Sequence, residues 1–239
     1  MLKNIVKKVL SIFRLEIVRF ESAQNFKYVL GRILDYYTID IVIDIGANIG
    51  QFGKEVVDAG YRKKIISLEP QASAFSKLEA NARSYSSWET HHCAIGGENT
   101  SGVINISENS VSSSLLDAEP ILYEIEKGTK YIRKESIVIK RLDNFVSIND
   151  FESKNIYTKL DVQGYELEIL LSNKELIGKS KFIQIELSFL PLYTSASSAS
   201  SMIELLNSWG YKIYFIFPEF IDKKTGKLLE AVAVFIKEQ

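Results

Sequence analysis

The strongest constraint on the fold of this chain is one short segment, Ile41-Val-Ile-Asp-Ile-Gly-Ala-Asn-Ile-Gly-Gln-Phe52. It begins as a run of β-branched apolar residues, which is typical of a buried parallel strand. Gly46, Asn48 and Gly50 follow, and these residue types tolerate positive φ or admit close approach of another group. An amphipathic helical pattern begins directly afterwards. The segment therefore predicts a strand, a tight turn over residues 46–50 (the first turn) and a helix whose free N–H groups face a ligand.

The order of residues in the first turn bears on which ligand it holds. A dinucleotide-binding turn has Gly-x-Gly-x-x-Gly, with the pyrophosphate at the helix N-terminus. Here the order is Asp-x-Gly-x-Asn-x-Gly, with Asp44 ahead of the first glycine. This order resembles motif I of class I S-adenosylmethionine-dependent methyltransferases, whose ligand carries an ammonium group and a carboxylate but no phosphate. The next predicted strand, residues 64–69, ends in Glu69 followed by Pro70, and a carboxylate there can accept hydrogen bonds from ribose hydroxyls. The alternative is an ordinary strand, turn and helix beside a solvated Glu69.

Composition narrows the class of protein. The chain has 239 residues, 46% of them hydrophobic, which is enough for the core of one α/β domain. Its net charge of −1 gives no global attraction to nucleic acid. A single cysteine, Cys93, excludes an internal disulfide and indicates a reducing, cytoplasmic location. With only His91 and His92 besides, and no Cys–His cluster, a zinc site is not expected.

The N-terminal residues 1–20 mix apolar residues with five lysines and arginines. This pattern predicts a basic amphipathic helix, which either packs on the domain with its lysines in water or lies on a membrane surface. No segment approaches the roughly 20 apolar residues that span a bilayer. We predict a helical extension over residues 1–38 and one catalytic domain over residues 39–239, with peripheral contact at the inner membrane surface as an option. The sequence does not indicate an oligomeric state.

The rest of the chain alternates strands and helices. This alternation predicts a Rossmann-like α/β fold, a mainly parallel seven-stranded sheet with helices on both faces. In such sheets, ligands bind outside the carboxyl ends of the strands. The predicted strands after the first two are residues 88–95, 156–160, 182–187, 211–217 and 231–236, with 103–107 and 137–142 as a β extension; the predicted helices after the first turn are residues 71–84, 165–171 and 199–209.

A second chemically loaded segment is Tyr157-Thr-Lys-Leu-Asp-Val-Gln-Gly-Tyr-Glu-Leu-Glu168. Side chains alternate along a strand, so Lys159 and Asp161 point the same way, and Asp161 stands where the strand leaves the sheet. Gln163 lies in the turn that follows. Glu166 lies in the first helical turn, where it either serves the site or only complements the helix dipole. Lys159 is either part of the site or an ion-pair partner that keeps Asp161 charged.

Taken together, these motifs identify a family resemblance. The ordered set Asp-Ile-Gly-Ala-Asn-Ile-Gly-Gln-Phe, Ser-Leu-Glu-Pro, Cys-Ala-Ile-Gly, Lys-Leu-Asp-Val-Gln-Gly-Tyr-Glu and Gln-Ile-Glu-Leu-Ser is similar to FkbM-family methyltransferases from about residue 40 to the C-terminus. The resemblance implies S-adenosylmethionine-dependent O-methylation, of a sugar hydroxyl in a bacterial surface polysaccharide or glycolipid, or of a polyketide-type product. The cofactor-binding residues it implies are Asp44, Gly46, Ala47, Asn48, Gly50, Gln51, Phe52, Glu69, Pro70, Cys93, Ala94 and Asp161. We expect Gly50 to leave space that the ligand fills.

A sugar hydroxyl is a weak nucleophile, so a general base or a metal should help to remove its proton. Asp161, beside Lys159, is the first candidate for the base, and Glu186, at the end of the next strand, is the second. A divalent metal held by Asp161 and Glu186 is an alternative, although two carboxylates alone specify no particular ion. The polar stretch after residue 108 is expected to cover the acceptor, unless it is only a solvated loop. The expected acceptor-contacting residues are Asn109, Ser112, Ser113, Ser114, Gln163 and Glu166.

Three other functions stay open from the sequence. A nicotinamide oxidoreductase would need a different glycine order in the first turn. A non-catalytic S-adenosylmethionine-binding module is disfavoured by the intact motifs. An RNA methyltransferase would need a basic patch interleaved with aromatic residues, and none is evident.

Overall fold

The main sheet confirms the predicted fold class. The computed structural model describes residue 22 and residues 25–238, and its main sheet has seven strands in the order β3-β2-β1-β7-β8-β10-β9. Strands β3, β2, β1, β7 and β8 run parallel, while β10 runs antiparallel to both β8 and β9. The bounds are β1 Ile41–Ile45, β2 Lys64–Leu68, β3 Trp88–His91, β7 Ile156–Leu160, β8 Phe182–Ser188, β9 Tyr211–Ile221 and β10 Leu228–Lys237.

Helices cover both faces of this sheet because alternate residues of the central strands are apolar on both sides. On one face Ile43 and Ile45 belong to the cluster that includes Ile169 and Met202; on the other, Val42 packs with residues such as Leu30 and Val56. The helices are α1 Phe26–Tyr36, α2 Gln51–Asp58, α3 Ala72–Ala82, α4 Pro120–Ile125, α5 Ile148–Ser153, α6 Glu166–Ser172, α7 Lys174–Ile177 and α8 Ala199–Ser208, with a short 3₁₀ turn at Leu142–Asn144.

The predicted β extension is a second sheet of three strands in the order β4-β6-β5. Its strands are β4 Ala94–Ile95, β5 Thr100–Ser107 and β6 Tyr131–Lys140. The prediction of one strand over residues 88–95 is therefore wrong, because the chain leaves the main sheet after His91. The Cys93 N–H donates back to the His91 carbonyl at 3.1 Å, and this tight turn redirects the chain to pair with β6. Apolar periodicity does not reveal such a turn.

The N-terminal extension is described only in part. Helix α1 packs Leu30 and Ile33 against the same apolar cluster as Val42 of β1, so this helix is a layer of the domain. The predicted amphipathic helix over residues 1–20 lies outside the described residues. Within the described part of the chain, no helix has the length and apolar character needed to cross a bilayer.

Candidate active site

A cavity of about 560 Å³ lies at the carboxyl ends of β1, β2, β7 and β8. It has two ends that differ in chemistry. The β1 end is lined by residues within 46–52, 68–71 and 93–95, and the β8 end by residues within 159–165, 184–186 and 217–232. The cavity therefore joins the first turn to the segment that carries Asp161, as the sequence predicted from the topology of parallel strands.

The first turn is packed directly against the end of β7. Gly46 has a φ of +80°, and a Cβ atom there would lie 1.9 Å from the Asp161 carbonyl oxygen. The N–H groups of Gly46 and Ala47 both donate to the Leu68 carbonyl, at 3.0 and 3.1 Å, which ties the turn to β2. Glycine is required at position 46 because the two strand ends leave no room for a side chain.

Gly50 serves a different purpose from the one expected. It has a φ of +90° and does not line the cavity. A Cβ atom there would meet Leu78 at 2.9 Å and Trp88 at 3.2 Å. The expectation that a side chain at this position would fill ligand space is therefore wrong, since the neighbouring space is apolar core.

Glu69 links the first turn to the segment after β2. Its carboxylate accepts the Asn48 N–H at 2.7 Å and the Gln71 N–H at 2.8 Å. Only 2% of the residue is exposed, and burial raises the pKa of Glu69 to about 7 despite these two donors. The solvated alternative for Glu69 is thus wrong: the carboxylate is a buried wall of the cavity.

An ion-pair network connects the cavity wall to the buried Asp44 below it. Asp44 and Lys159 are opposite each other on β1 and β7, and Lys159 Nζ lies 3.1 Å from Asp44 and 3.3 Å from Asp161. Asp44 is fully buried, does not reach the cavity, and also accepts the Ser67 hydroxyl at 3.3 Å. Burial acts to lower the pKa of Lys159, but the two carboxylates outweigh it and raise the pKa, so the ammonium stays charged.

The remaining walls of the β1 end are mostly apolar. Among the residues predicted to contact the cofactor, those that line the cavity here are Ala47, Asn48, Gln51, Phe52, Pro70, Cys93 and Ala94. Burial raises the pKa of the Cys93 thiol to about 11, so it stays protonated and acts as a small apolar wall. His91 and His92 do not line the cavity; the His92 ring stacks on Phe75, and the His91 ring packs at an angle against Phe145.

Asp161 and Glu186 meet at the β8 end through a third residue. The Gln163 amide Nε2 donates to Asp161 at 2.9 Å and to Glu186 at 3.1 Å. The Tyr193 hydroxyl donates to the Gln163 Oε1 at 2.6 Å. Asp161, Gln163 and Glu186 all line the cavity, and the Asp161 side chain is 41% exposed. Both predicted base candidates thus face the same space.

Further carboxyl groups line this end that the sequence reasoning missed. Glu230 of β10 accepts the Ser188 hydroxyl at 2.8 Å, and burial raises its pKa to about 7. Burial, and then the nearby charge of Glu230, raises the pKa of Glu186 well above its usual range. Glu219 of β9 lines the outer part, beside Phe217 and Phe220. An acid inside the apolar run of the last strand, as at Glu230, is the signal that could have found this wall.

The polar stretch after residue 108 contains three serines, residues 112–114 (the serine stretch), which form a buried wall of the cavity and not a solvated loop. Ser112, Ser113 and Ser114 line the cavity, and all three are buried. Ser113 donates to Gln71 at 3.2 Å, and Ser114 donates to the Gln163 carbonyl at 2.7 Å. Asn109 does not line the cavity; it holds the stretch by contacting Ser112.

Glu166 shapes the second turn (residues 161–165) from behind. It does not line the cavity, and its carboxylate accepts the Val162 N–H at 3.0 Å and the Gly164 N–H at 3.2 Å. Burial raises the pKa of Glu166 to about 6. These contacts favour a structural role over contact with the acceptor.

The acidic side chains of the cavity also bear on the alternative of a bound metal. Among residues 22 and 25–238, no group of three or more His, Cys, Asp and Glu side chains is placed to hold a metal ion. Between Asp161 and Glu186 stands the Gln163 amide with its N–H groups, which a cation bridging these carboxylates would have to displace.

The fold and the cavity together define a class I methyltransferase, with a ligand turn after β1, an acid after β2 and polar residues after β7. The chain belongs to the FkbM methyltransferase domain family, whose model matches residues 44–213. The chain is 23% identical over 189 residues to the 2-O-methyltransferase NoeI of Sinorhizobium fredii, covering 76% of each protein. An rRNA methylase from Streptococcus thermophilus has the same fold, with a TM-score of 0.51 and 12% identity over 93% of this chain and all of that one.

Proposed function

We propose that this protein is an S-adenosylmethionine-dependent O-methyltransferase that acts on a sugar hydroxyl of a bacterial surface polysaccharide or glycolipid. The observation that carries the proposal is the single cavity that joins the first turn and Glu69 to Asp161 and Glu186. A methyl donor at one end and a hydroxyl at the other would be held side by side, which is what an in-line transfer requires.

The β1 end fits the cofactor. Glu69 presents a buried carboxylate for the ribose, Ala94 and Cys93 offer an apolar wall for a base, and the first turn closes the floor. S-adenosylmethionine supplies an activated methyl group when bound, so the protein need not activate the donor. What remains for the chain is to orient the acceptor and receive its proton.

Asp161 is the proposed base. Its side chain is 41% exposed at the cavity, where an acceptor hydroxyl can reach it, and Lys159 Nζ lies 3.3 Å away. It can accept the hydroxyl proton as the oxygen attacks, while Glu186 holds the acceptor from the opposite wall. Lys159 pairs with Asp161 and is not placed to act as a base, since its ammonium is held charged between two carboxylates.

The β8 end also bears on the acceptor. Among the described residues that line the cavity, Lys159 is the one cationic side chain, whereas Glu186, Glu219 and Glu230 are all acidic. Such a wall disfavours an acceptor with a carboxylate or phosphate beside the reacting hydroxyl and suits a neutral polyol. A relative named as a 2-O-methyltransferase supports a hydroxyl acceptor. A polyketide-type hydroxyl is the second candidate, because Phe217 and Phe220 also present apolar surface.

Comparing surface glycan and lipid fractions from cells with and without the gene by mass spectrometry tests the acceptor. Loss of about 14 Da per repeat, one methyl group replacing a hydrogen, would identify the substrate. Calorimetry of the purified protein tests the cofactor. Micromolar binding of a nicotinamide dinucleotide and no binding of S-adenosylmethionine would contradict the proposal, as would filter binding to structured RNA that survives moderate salt.

A further inference from the structure

We propose that Tyr193 and Gln163 form a positioning pair that fixes Asp161 and Glu186 in their reactive orientation. The inference deepens the proposed function and rests on it for the identity of the reaction. Neither residue needs to touch the reacting atoms. Their task is to hold two carboxylates, from separate strands, at a fixed spacing across the acceptor end of the cavity.

The hydrogen bonds permit only one arrangement of the Gln163 amide. The amide nitrogen carries two hydrogens, and it donates to Asp161 and Glu186, at 2.9 and 3.1 Å. The amide oxygen then faces the Tyr193 hydroxyl at 2.6 Å, and that hydroxyl must donate. Burial raises the pKa of Tyr193, which keeps its proton in place. Both amide hydrogens and the amide oxygen are satisfied.

The pair is held by its surroundings before any acceptor binds. Gln163 has a φ of +55°, a strained value for this residue type, and the Ser114 hydroxyl holds its carbonyl at 2.7 Å. Tyr193 is 3% exposed, and its backbone forms a β-bridge with Ala118. Because the backbones of Gln163 and Tyr193 are both held in place, the Tyr193 hydroxyl can fix the orientation of the Gln163 amide.

The charge around Glu186 makes this arrangement measurable. Burial is the largest cause of the raised pKa of Glu186, and four nearby carboxyl groups raise it further. They are Glu230 on β10, Asp161 after β7, Glu219 on β9 and Glu166 on α6. A fixed N–H donor opposes this rise because it stabilises the charged form. If the amide is free to rotate, Glu186 loses part of that donor and its pKa rises further.

The test uses Tyr193→Phe, which removes only the hydroxyl. Glu186 is followed by carboxyl ¹³C NMR in protein labelled at glutamate, and its resonance is assigned by its absence in Glu186→Gln. We expect the titration midpoint of Glu186 to move to higher pH in Tyr193→Phe. The control is Tyr211→Phe, because that hydroxyl is also buried but donates to the Ile177 and Ser180 carbonyls away from the cavity. An unchanged midpoint in Tyr193→Phe would overturn the proposal.

Kinetics provide a second readout. Losing the neutral hydrogen bond should lower turnover about 3- to 10-fold with the Michaelis constant for S-adenosylmethionine unchanged. In a Gln163→Met background, Tyr193→Phe should cost nothing more, since the amide it positions is gone. Multiplicative losses would overturn the inference. If wild-type protein methylates no hydroxyl acceptor, the proposed function fails, whereas the NMR titration still decides the role of the pair.

Discussion

The two ends of the cavity are built in opposite ways. The β1 end is made of short, contiguous stretches whose backbone N–H groups are aimed inward or bound to Glu69 and Leu68. The β8 end is made of single side chains from β7, β8, β9 and β10, which run both parallel and antiparallel. Where a site is formed by backbone groups, the turn fixes its shape. Where a site is formed by side chains, a single substitution can change it.

This difference suggests a division of labour. A common cofactor suits a rigid frame that the fold itself supplies. A variable acceptor suits walls that can be altered without disturbing the strands that carry them. The β8 end is also more acidic, and burial raises the pKa values of both Glu230 and Glu186 there, whereas the buried acid that lines the β1 end is Glu69.

The largest expected effect is on the base. Asp161→Asn keeps the size of the side chain and removes its charge, and we expect turnover to fall about 100- to 10,000-fold. S-adenosylmethionine affinity, measured by calorimetry, should change far less. Glu186→Gln should cost less than this. If chelator silences the wild type and a divalent ion restores it, a metal does the work; if chelator has no effect and Glu186→Gln is the more damaging change, the roles of the two carboxylates are reversed.

Substituting Gly46 tests whether the close contact between the first turn and the Asp161 backbone stabilises the fold. Gly46→Ala should destabilise the fold by about 3 kcal/mol or more, because its Cβ would overlap the Asp161 carbonyl. The control is Gly60→Ala, where φ is +100° but nothing lies within 4 Å, so only backbone strain of about 1 kcal/mol is expected. Equal losses in urea unfolding for both variants would show that the close contact is unimportant.

Changing Glu69 separates binding from chemistry. Glu69→Gln should weaken S-adenosylmethionine binding by roughly 1–3 kcal/mol, the range for a charge-assisted hydrogen bond in a pocket. Turnover at saturating cofactor should be nearly unchanged, because the ribose is remote from the methyl group. If turnover collapses while affinity for S-adenosylmethionine is unchanged, Glu69 acts in the chemical step and the proposed ribose contact is wrong.

The same carboxyl group predicts a pH dependence. With its pKa raised to about 7 by burial, Glu69 gains its charge between pH 6 and pH 8. Ribose hydroxyls donate best to the charged form, so cofactor affinity should rise about three- to tenfold over that interval. Calorimetry at both pH values measures this, and Glu69→Gln should abolish the difference. A slope that survives in the variant would have to come from another group.

The smallest effect concerns the serine stretch. Ser114→Ala removes the hydroxyl that holds the Gln163 carbonyl, and we expect a loss of about 1 kcal/mol in stability and a higher acceptor Michaelis constant. The cofactor constant should not move. Ser208→Ala removes a hydroxyl bound to a carbonyl on the exposed end of α8, at 2.6 Å, and serves as the control. Unchanged acceptor kinetics in Ser114→Ala would leave the stretch without influence on the site.

Sequence reasoning reached the β1 end because its information is local. The first turn, Glu69 and the strand that carries Asp161 each follow from residues close together in the chain, with apolar runs that fix the strands. The seven-stranded sheet followed from the alternation of strands and helices. Gly50 shows the limit of this approach: its positive φ was implied by the turn, but which neighbours surround it depends on how α3 and β3 pack.

The arrangement of the β8 end could not be predicted from the sequence, because it depends on contacts between residues far apart in the chain. Tyr193 lies in an irregular segment between β8 and α8, and its role follows only from its distance to Gln163. The Asp44–Lys159 pair required the register of β1 against β7, whereas only the shared direction of Lys159 and Asp161 could be read from the chain. The break after His91 was hidden because an apolar run, Cys93-Ala-Ile95, resumes directly after the turn.

The Asp44–Lys159 pair has a consequence for how such a protein can change over generations. Replacing Lys159 alone would leave the fully buried Asp44 without its partner, at a cost of about 3–5 kcal/mol, whereas replacing both Asp44 and Lys159 by apolar residues of similar volume can be close to neutral. A route that begins with the loss of Lys159 therefore passes through a poorly folding intermediate. Lys159 also pairs with Asp161, so the same barrier preserves the cationic neighbour of the proposed base. Under the proposed function, acceptor preference can change at Glu219 or Phe220, while position 159 is held by its ion pairs with Asp44 and Asp161.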